Sequence, residues 1–306
     1  MSLEPNYRWF CAVAMVVALG AGLDLRAQEH SCFSRSVASV PGRPTVANGT
    51  DPTQCGVVEL EYGLERQWPG SGAHHSDLAG GIRFGLTPDL DFHWFAGDVV
   101  SLVDEDGSRT GYGDNWVGLK YRFLVQGKHR PSMGAMYQVK LPTEDLKLGE
   151  SGQIDHSFLL LVGRDIHQLH CDFNVIPQLL GRSGGGFDSN VGLAWATSMS
   201  IYRWLSLVAE PYGYTAANDR TQGFASVMAG AALRPHPRLY LDAGVDVGTT
   251  QSAPRKRVYC GVTYAIGNVY AWLKAQDLQR EQAREEFGHQ FGKDRLHRSA
   301  GTRIMN

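Results

Sequence analysis

Apolar and polar residues alternate in a series of stretches between positions 56 and 266. In the first stretch Leu60 and Tyr62 fall on one side of an extended chain, while Glu59 and Glu61 fall on the other. Side chains of a β-strand project to opposite faces with a period of two, whereas a helix would scatter these residues around its circumference. The stretch therefore predicts a β-strand with one apolar face.

Eleven further stretches resemble the first. The twelve predicted strands are residues 58–65, 77–84, 90–94, 114–123, 133–141, 154–162, 169–179, 191–201, 205–210, 225–229, 239–247 and 258–266. The stretch 154–162 is apolar on both faces, so its orientation stays open. The chosen apolar faces carry no charged residue, as expected of strands that face lipid, where an Arg or Lys at mid-bilayer costs about 2–4 kcal/mol.

The connections between the predicted strands alternate in length. Long polar loops are predicted at 67–75, 100–111, 143–153, 181–188, 216–221 and 249–256, and tight links at 87–89, 126–130, 165–168, 202–203 and 235–237. A soluble β-sandwich also hides one face of each strand, but alternation of long and short connections is typical of an up-and-down barrel. We predict an all-β fold: an antiparallel up-and-down transmembrane β-barrel of about 12 strands, with a C-terminal helical extension.

Residues 1–27 have the character of a cleavable signal peptide. Arg8 precedes an uninterrupted apolar run at 9–23, and Ala27 ends the short stretch that follows. The run is shorter than the roughly twenty residues that a spanning helix needs, which disfavours the alternative of a single membrane anchor. We predict export and cleavage after Ala27.

Residues 28–55 contain Pro- and Gly-bearing runs with little periodicity. They are interpreted as a periplasmic lead-in or a plug segment that folds into the lumen, and the flexible lead-in is favoured because untethered chain ends are commonly mobile. Cys32 and Cys55 flank this segment. They could pair in an oxidising periplasm, although spacing alone does not fix a disulfide.

The barrel is assigned to residues 56–267, and residues 268–306 to a helical and disordered C-terminal extension. The composition of 269–287 predicts a helix, with Tyr270, Trp272 and Leu273 suited to the membrane surface. The basic run 293–303 is predicted to be disordered.

The overall composition is compatible with a barrel. Hydrophobic residues make up 43% of the chain and the mean hydropathy is -0.24, which is sufficient because only alternate residues of a barrel face lipid. The formal net charge of -2 gives no broad basic field, so nucleic acid is not an expected partner.

The sequence gives little support for a catalytic or metal-binding site. Asp155, His156 and Ser157 are consecutive on a predicted strand, so they alternate between faces and cannot form a relay. His74, His75, His167 and His170 fall at loops or strand ends without a readable set of further ligands. The run 111–114 (Gly-Tyr-Gly-Asp) lacks the lysine and the following helix of a phosphate loop and is interpreted as a turn that enters a strand. We therefore expect neither an enzyme nor a cofactor or metal site.

The polar faces of the predicted strands carry most of the charge and point into the lumen. The charged candidates for lining it are Glu59, Glu61, Arg83, Asp91, Asp114, Lys120, Arg122, Lys140, Asp172, Glu210, Asp242 and Asp246. With Asp77 added, the acids exceed the bases by five, so a preference for cations is one hypothesis. The alternative is that acids and bases pair across the lumen and close it.

Several segments together resemble the transporter-like outer-membrane family named for the MetA pathway of phenol degradation. They are residues 111–114, 118–121, 139–143, 209–213, 241–245, 253–254 and 261–264. The resemblance runs from about residue 56 to 266 and implies a Gram-negative outer-membrane barrel that passes hydrophobic or aromatic compounds. Barrels of that family commonly end at an aromatic C-terminal strand, whereas about forty residues follow Ile266 here.

The expected function is an outer-membrane channel or transporter-like protein that passes small, aromatic or hydrophobic, molecules. The expected partners are outer-membrane lipid, the barrel assembly machinery and small-molecule solutes. Two alternatives stay open: a barrel enzyme such as a lipid hydrolase, and a closed structural barrel.

Overall fold

The computed structural model describes residues 32–70, 73–96, 98–105, 107–148 and 152–284. The predicted signal peptide and the basic run 293–303 lie outside these residues. The strands are β1 (Val57–Gly70), β2 (Ala73–Gly85), β3 (Leu90–Phe95), β4 (Val99–Asp104), β5 (Gly107–Tyr112), β6 (Asn115–Leu124), β7 (Ser132–Leu141), β8 (Asp155–Ile166), β9 (Leu169–Gly181), β10 (Phe187–Tyr202), β11 (Leu205–Tyr214), β12 (Phe224–His236), β13 (Leu239–Gly248) and β14 (Lys256–Asn268).

The strands form one closed antiparallel sheet. β1 pairs with both β2 and β14, which joins the first strand to the last. β3 and β4 pair with the later and earlier parts of β2, so together they make one barrel strand with a break at 96–98. β5 and β6 make another, with a break at 113–114. The result is a closed barrel of 12 strands, which confirms the predicted fold class.

Two of the predicted long loops are wrong. Most of 67–75 is strand, because β1 extends to Gly70 and β2 begins at Ala73, and most of 100–111 forms the β4–β5 hairpin. Strand hydrogen bonding continues here although the apolar alternation has stopped. The apolar alternation ends first because it depends on contact with lipid. The backbone hydrogen bonds continue for as long as two neighbouring strands pair.

The faces of the strands separate by polarity. Leu64, Trp195 and Val247 are more than half exposed on the outer face, whereas Glu59 and Glu210 are fully buried on the inner face. An apolar exterior around a polar interior is the arrangement of a barrel that crosses a lipid bilayer. The short links 86–89, 167–168, 203–204 and 237–238 lie at the end where β1 begins, which identifies that end as periplasmic.

The structure settles the orientation of β8. Leu159 and Leu161 point inward and are buried, while Leu160 between them faces outward. They pack in an inner apolar cluster, whose other buried members are Ala47, Met136, Ile176, Ala194 and Ala196. All of these residues except Ala47 lie on the inner wall of β7–β10, and a second inner apolar cluster, formed by Val208, Met228 and Tyr259, lies on β11, β12 and β14.

A helix, α1 (residues 269–284), follows β14 directly. The side-chain oxygen of Asn268 accepts a hydrogen bond of 2.9 Å from the Ala271 backbone N–H, which satisfies one free donor at the start of the helix. Tyr270 packs edge-on against Phe84, with ring centroids 5.6 Å apart. In the described part of the chain, no helix is both long and apolar enough to span a membrane.

Candidate functional site

The segment between the two paired cysteines lies against the inner face of the barrel. Cys32 and Cys55 form a disulfide with Cα atoms 4.8 Å apart. Between them, backbone N–H groups within residues 38–53, among them those of Val40, Val46, Asn48 and Thr53, donate hydrogen bonds to inward-facing side chains of strands around the wall. The expectation of a flexible periplasmic lead-in is therefore wrong for these residues. In a flexible lead-in their backbone groups would be hydrogen-bonded to water, whereas here they are hydrogen-bonded to the barrel.

Inward carboxylates hold the segment, which is named the inner segment from here on (residues 38–53). The oxygen atoms of each carboxylate accept hydrogen bonds from backbone N–H groups. The contacts are Val40 to Glu59 at 2.7 Å, Gly42 to Glu61 at 2.8 Å, Val46 and Ala47 to Glu210 at 2.8 and 2.6 Å, and Thr53 to Asp91 at 2.7 Å. Hydrogen bonds to charged acceptors are among the stronger ones, so these contacts fix the path of the inner segment.

Inward cations hold the same segment through its oxygen atoms, and an inward amide side chain holds it through one donor and one acceptor. Lys120 Nζ donates to the Asp51 carbonyl at 2.7 Å, and Arg122 Nη1 donates to the Asp51 carboxylate at 2.6 Å. Asn48 and Asn174 exchange two hydrogen bonds of 2.7 and 3.0 Å. The inner segment thus contacts wall side chains on β1, β3, β6, β9 and β11.

A buried ion cluster lies beneath the first part of the inner segment. Arg83 Nη2 is 2.7 Å from Glu59 and 3.2 Å from Glu61, and all three side chains are at most 6% exposed. Asp91 adjoins His93 at 3.0 Å and Lys120 at 3.9 Å. Charges removed from water require such partners, because an unpaired buried charge costs several kcal/mol.

Two further ion clusters lie toward the extracellular end. Arg257 pairs with Asp246 at 2.8 Å and with Glu65 at 3.2 Å, and it also donates to the Tyr212 hydroxyl at 3.1 Å. Lys140 bridges Asp114 at 3.1 Å and Asp155 at 2.8 Å.

The structure brings the twelve lumen candidates onto one face of the wall, and most of them are buried. The two not yet placed are Asp172, which accepts from His170 at 3.0 Å, and Asp242, which faces Arg43 at 3.4 Å. Three inner residues were not assigned from the sequence: Arg43, Tyr212 and Arg257. Extending the alternation of β14 by one residue would have found Arg257, but the inner segment has no periodicity that would have indicated Arg43.

Cavities lie on both sides of the inner segment. The periplasmic-side cavity, about 350 Å³, is lined by Arg43, Lys120, His170, Ser198, Ser206 and Tyr240 among others. The extracellular-side cavity, about 230 Å³, is lined by Arg43, Glu61, Phe95, Asp98 and Trp116 among others. The interior is therefore divided by the inner segment and is not filled by it.

The rejected catalytic and metal candidates are not assembled into a site. Asp155 and Ser157 face inward, whereas His156 lies on the outer face, where its Nδ1 is 2.8 Å from the Tyr137 hydroxyl. Among the described residues, no group of three or more His, Cys, Asp or Glu side chains is arranged to hold a metal ion.

Comparison with known proteins gives structural likeness only. No family model matches the chain, and no curated protein matches it. An outer-membrane channel from Pseudomonas putida F1 is 13% identical, with a TM-score of 0.56 over 74% of this chain and 99% of that chain. The KdgM porin in complex with disordered oligogalacturonate is 11% identical, with a TM-score of 0.46 over 67% of this chain and 98% of that chain.

The NanC porin is 12% identical, with a TM-score of 0.46 over 68% of this chain and 98% of that chain. The likeness to the Pseudomonas channel agrees with the closed barrel, and the lipid-facing exterior gives its environment. The protein is a 12-stranded transmembrane β-barrel of the bacterial outer membrane.

Proposed function

We propose that the protein is an outer-membrane channel for small solutes, and that its inner segment narrows the path. The observation that carries the proposal is the pair of cavities on opposite sides of the inner segment, each with charged side chains in its lining. A barrel that served only as structure would gain more from a packed interior, because empty volume loses contact energy. The solved structures that the fold resembles include channels and porins.

The charges of the interior support a preference for cations. The structure adds Glu65 and Asp155 to the inward acids and Arg257 to the inward bases of the strands, so acids remain in excess. Rings of acidic side chains favour cations in pores. Reversal potentials in a salt gradient measure this preference, and an anion preference would contradict it.

Hydrophobic or aromatic solutes are the class that the family resemblance implies. The inner apolar cluster supplies a surface for them, with Tyr212 and Tyr214 packed beside it. Ala47 belongs to this cluster and Val46 packs against it, so a solute contacts the apolar residues of the wall only when that part of the inner segment moves away. Swelling of liposomes that contain the protein should then be faster with a phenol-sized aromatic solute than with a sugar of higher polarity.

Single-channel recording in planar bilayers tests the channel itself. Ser198 lines the periplasmic-side cavity, whereas Thr197, its neighbour in sequence, is on the outer face of the same strand. We expect discrete channels from the wild type, smaller unitary currents from Ser198→Trp and unchanged currents from Thr197→Trp. Failure of correctly folded wild type to form channels would favour the closed structural barrel, and phospholipid hydrolysis in micelles would favour the lipid hydrolase.

A further inference from the structure

Arg43 occupies the junction between the two cavities. Its side chain lines the periplasmic-side cavity and also the extracellular-side cavity. The side chain is 22% exposed, so it is in contact with the open space on either side. Its neighbours on the segment, Gly42 and Pro44, line the periplasmic-side cavity only.

The barrel wall has a recess for the Arg43 side chain. Gly63 on β1 and Gly261 on β14 are directly paired across the two strands. A Cβ atom on either glycine would overlap the guanidinium group of Arg43. Glycine in a strand interior often marks such a close approach, and this pair lets the charged group lie against the wall at the junction.

The ion pair of Arg43 is looser than those of the buried cluster. Its Nε and Nη2 atoms are 3.4 and 3.5 Å from the two oxygen atoms of Asp242. Charge-assisted contacts are usually about 2.7–2.9 Å, a distance that Arg83 and Glu59 meet. Arg43 is the one Lys or Arg within 4.0 Å of the Asp242 carboxylate among the residues that the structure describes.

We propose that Arg43 determines the charge selectivity of the channel. This inference rests on the proposed function and identifies the residue that sets which ions cross the junction. With Arg43 in place, its charge offsets the carboxylate of Glu61, which lines the extracellular-side cavity, and that of its ion-pair partner Asp242. Without Arg43, Asp242 loses its cation and Glu61 keeps only Arg83, so the junction becomes more negative and cations should be favoured more strongly.

Reversal potentials of single channels in a KCl gradient test the proposal. Removing a unit positive charge about 4 Å from an ion raises the occupancy of a cation and lowers that of an anion, each by roughly fivefold in a water-like medium. Arg43→Gln should therefore raise the cation-to-anion permeability ratio by at least about fivefold. Arg43→Lys should keep the wild-type ratio. Arg109→Gln is the control, because Arg109 is an exposed arginine on the β4–β5 hairpin, pairs there with Asp104 and lines neither cavity.

An additional variant separates the charge from the assembly of the barrel. Arg43→Cys can be modified after insertion into the bilayer with a cationic or an anionic thiol reagent, with wild type as the control for the free Cys171 and Cys260. The cationic reagent should restore the wild-type ratio and the anionic reagent should raise cation preference further. Open channels with an unchanged ratio, or equal shifts in Arg43→Gln and Arg109→Gln, would overturn the proposal. Absence of channels in every variant and the wild type would instead remove the channel function on which it rests.

Discussion

The backbone N–H of Ala47 donates a hydrogen bond of 2.6 Å to Oε1 of Glu210, although the two residues are 163 positions apart in the sequence. Ala47 is in the inner segment and Glu210 is on β11, which is four strands from β1 around the closed sheet. The contact therefore fixes the inner segment to a part of the wall that is well separated from β1. A hydrogen bond to a charged group contributes about 1.5–3 kcal/mol.

Replacing Glu210 should release this part of the inner segment. We expect Glu210→Ala to increase the rate at which a broad-specificity protease cuts the segment by roughly tenfold, because at least one charge-assisted hydrogen bond is lost. Cleavage sites are read by mass spectrometry. Glu65→Ala is the control, since Glu65 is an inward glutamate that pairs with Arg257. Equal protection of both variants would show that the Glu210 contact does not hold the segment.

Arg83 should be essential for stability. Arg83→Met leaves Glu59 and Glu61 buried without their shared cation, and breaking a buried ion pair in this way costs about 3–5 kcal/mol. Arg109→Met should cost under about 1 kcal/mol, because Arg109 and its partner Asp104 are 43% and 32% exposed on the β4–β5 hairpin. Urea unfolding in lipid vesicles gives both values. Similar unfolding midpoints for the two variants would contradict the buried cluster.

The lipid-facing assignment gives opposite expectations for two positions on β10. Leu193 is 51% exposed on the outer face, whereas Ser198 lines the periplasmic-side cavity. Leu193→Arg should destabilise the inserted barrel by about 2–4 kcal/mol, since the guanidinium would meet hydrocarbon. Ser198→Arg should be tolerated. The folded fraction as a function of urea compares the variants, and a reversed order would mean that the faces are assigned wrongly.

The disulfide should keep the start of the inner segment at the barrel rim. It closes a loop across 23 positions of sequence. The lost chain entropy of the unfolded state corresponds to a stabilisation of about 3 kcal/mol for a loop of this size. We expect Cys55→Ser to increase proteolysis between residues 32 and 54 while the barrel stays resistant. Cys260→Ser, an exposed position on β14, should leave the digestion pattern as in wild type. Unchanged protection of the segment in Cys55→Ser would show that hydrogen bonds alone hold it.

Strand number and facing were predictable because each depends on local alternation. Glu59, Asp91 and Glu210 were all assigned to the inner face from their immediate neighbours, and each is buried there. Strand ends were not predictable at residues 67–75, since backbone pairing continues beyond the lipid contact that creates the pattern. The local sequence indicates whether a side chain faces lipid or the lumen. Which residues it then contacts inside the lumen is determined only when the sheet closes.

The contacts that the inner residues make could not be predicted from the sequence, for the same reason. Lys120 is on the predicted face, but its bond to the Asp51 carbonyl depends on a segment without periodicity. Arg43 carries no strand signal, and its recess needs Gly63 and Gly261 to meet across the first and last strands. These contacts exist only once the ends of the sheet have joined.

Single-channel conductance with and without the inner segment tests the central claim most directly. The informative variant replaces residues 39–52 with a short Gly-Ser linker and keeps Cys32 and Cys55, so that the disulfide and the first strand are preserved. We predict that the wild type forms small channels and that the variant forms channels of several-fold larger conductance with the same barrel stability against protease. Equal conductance of the two proteins, with the variant correctly folded, would contradict the claim that this segment narrows the path through the barrel.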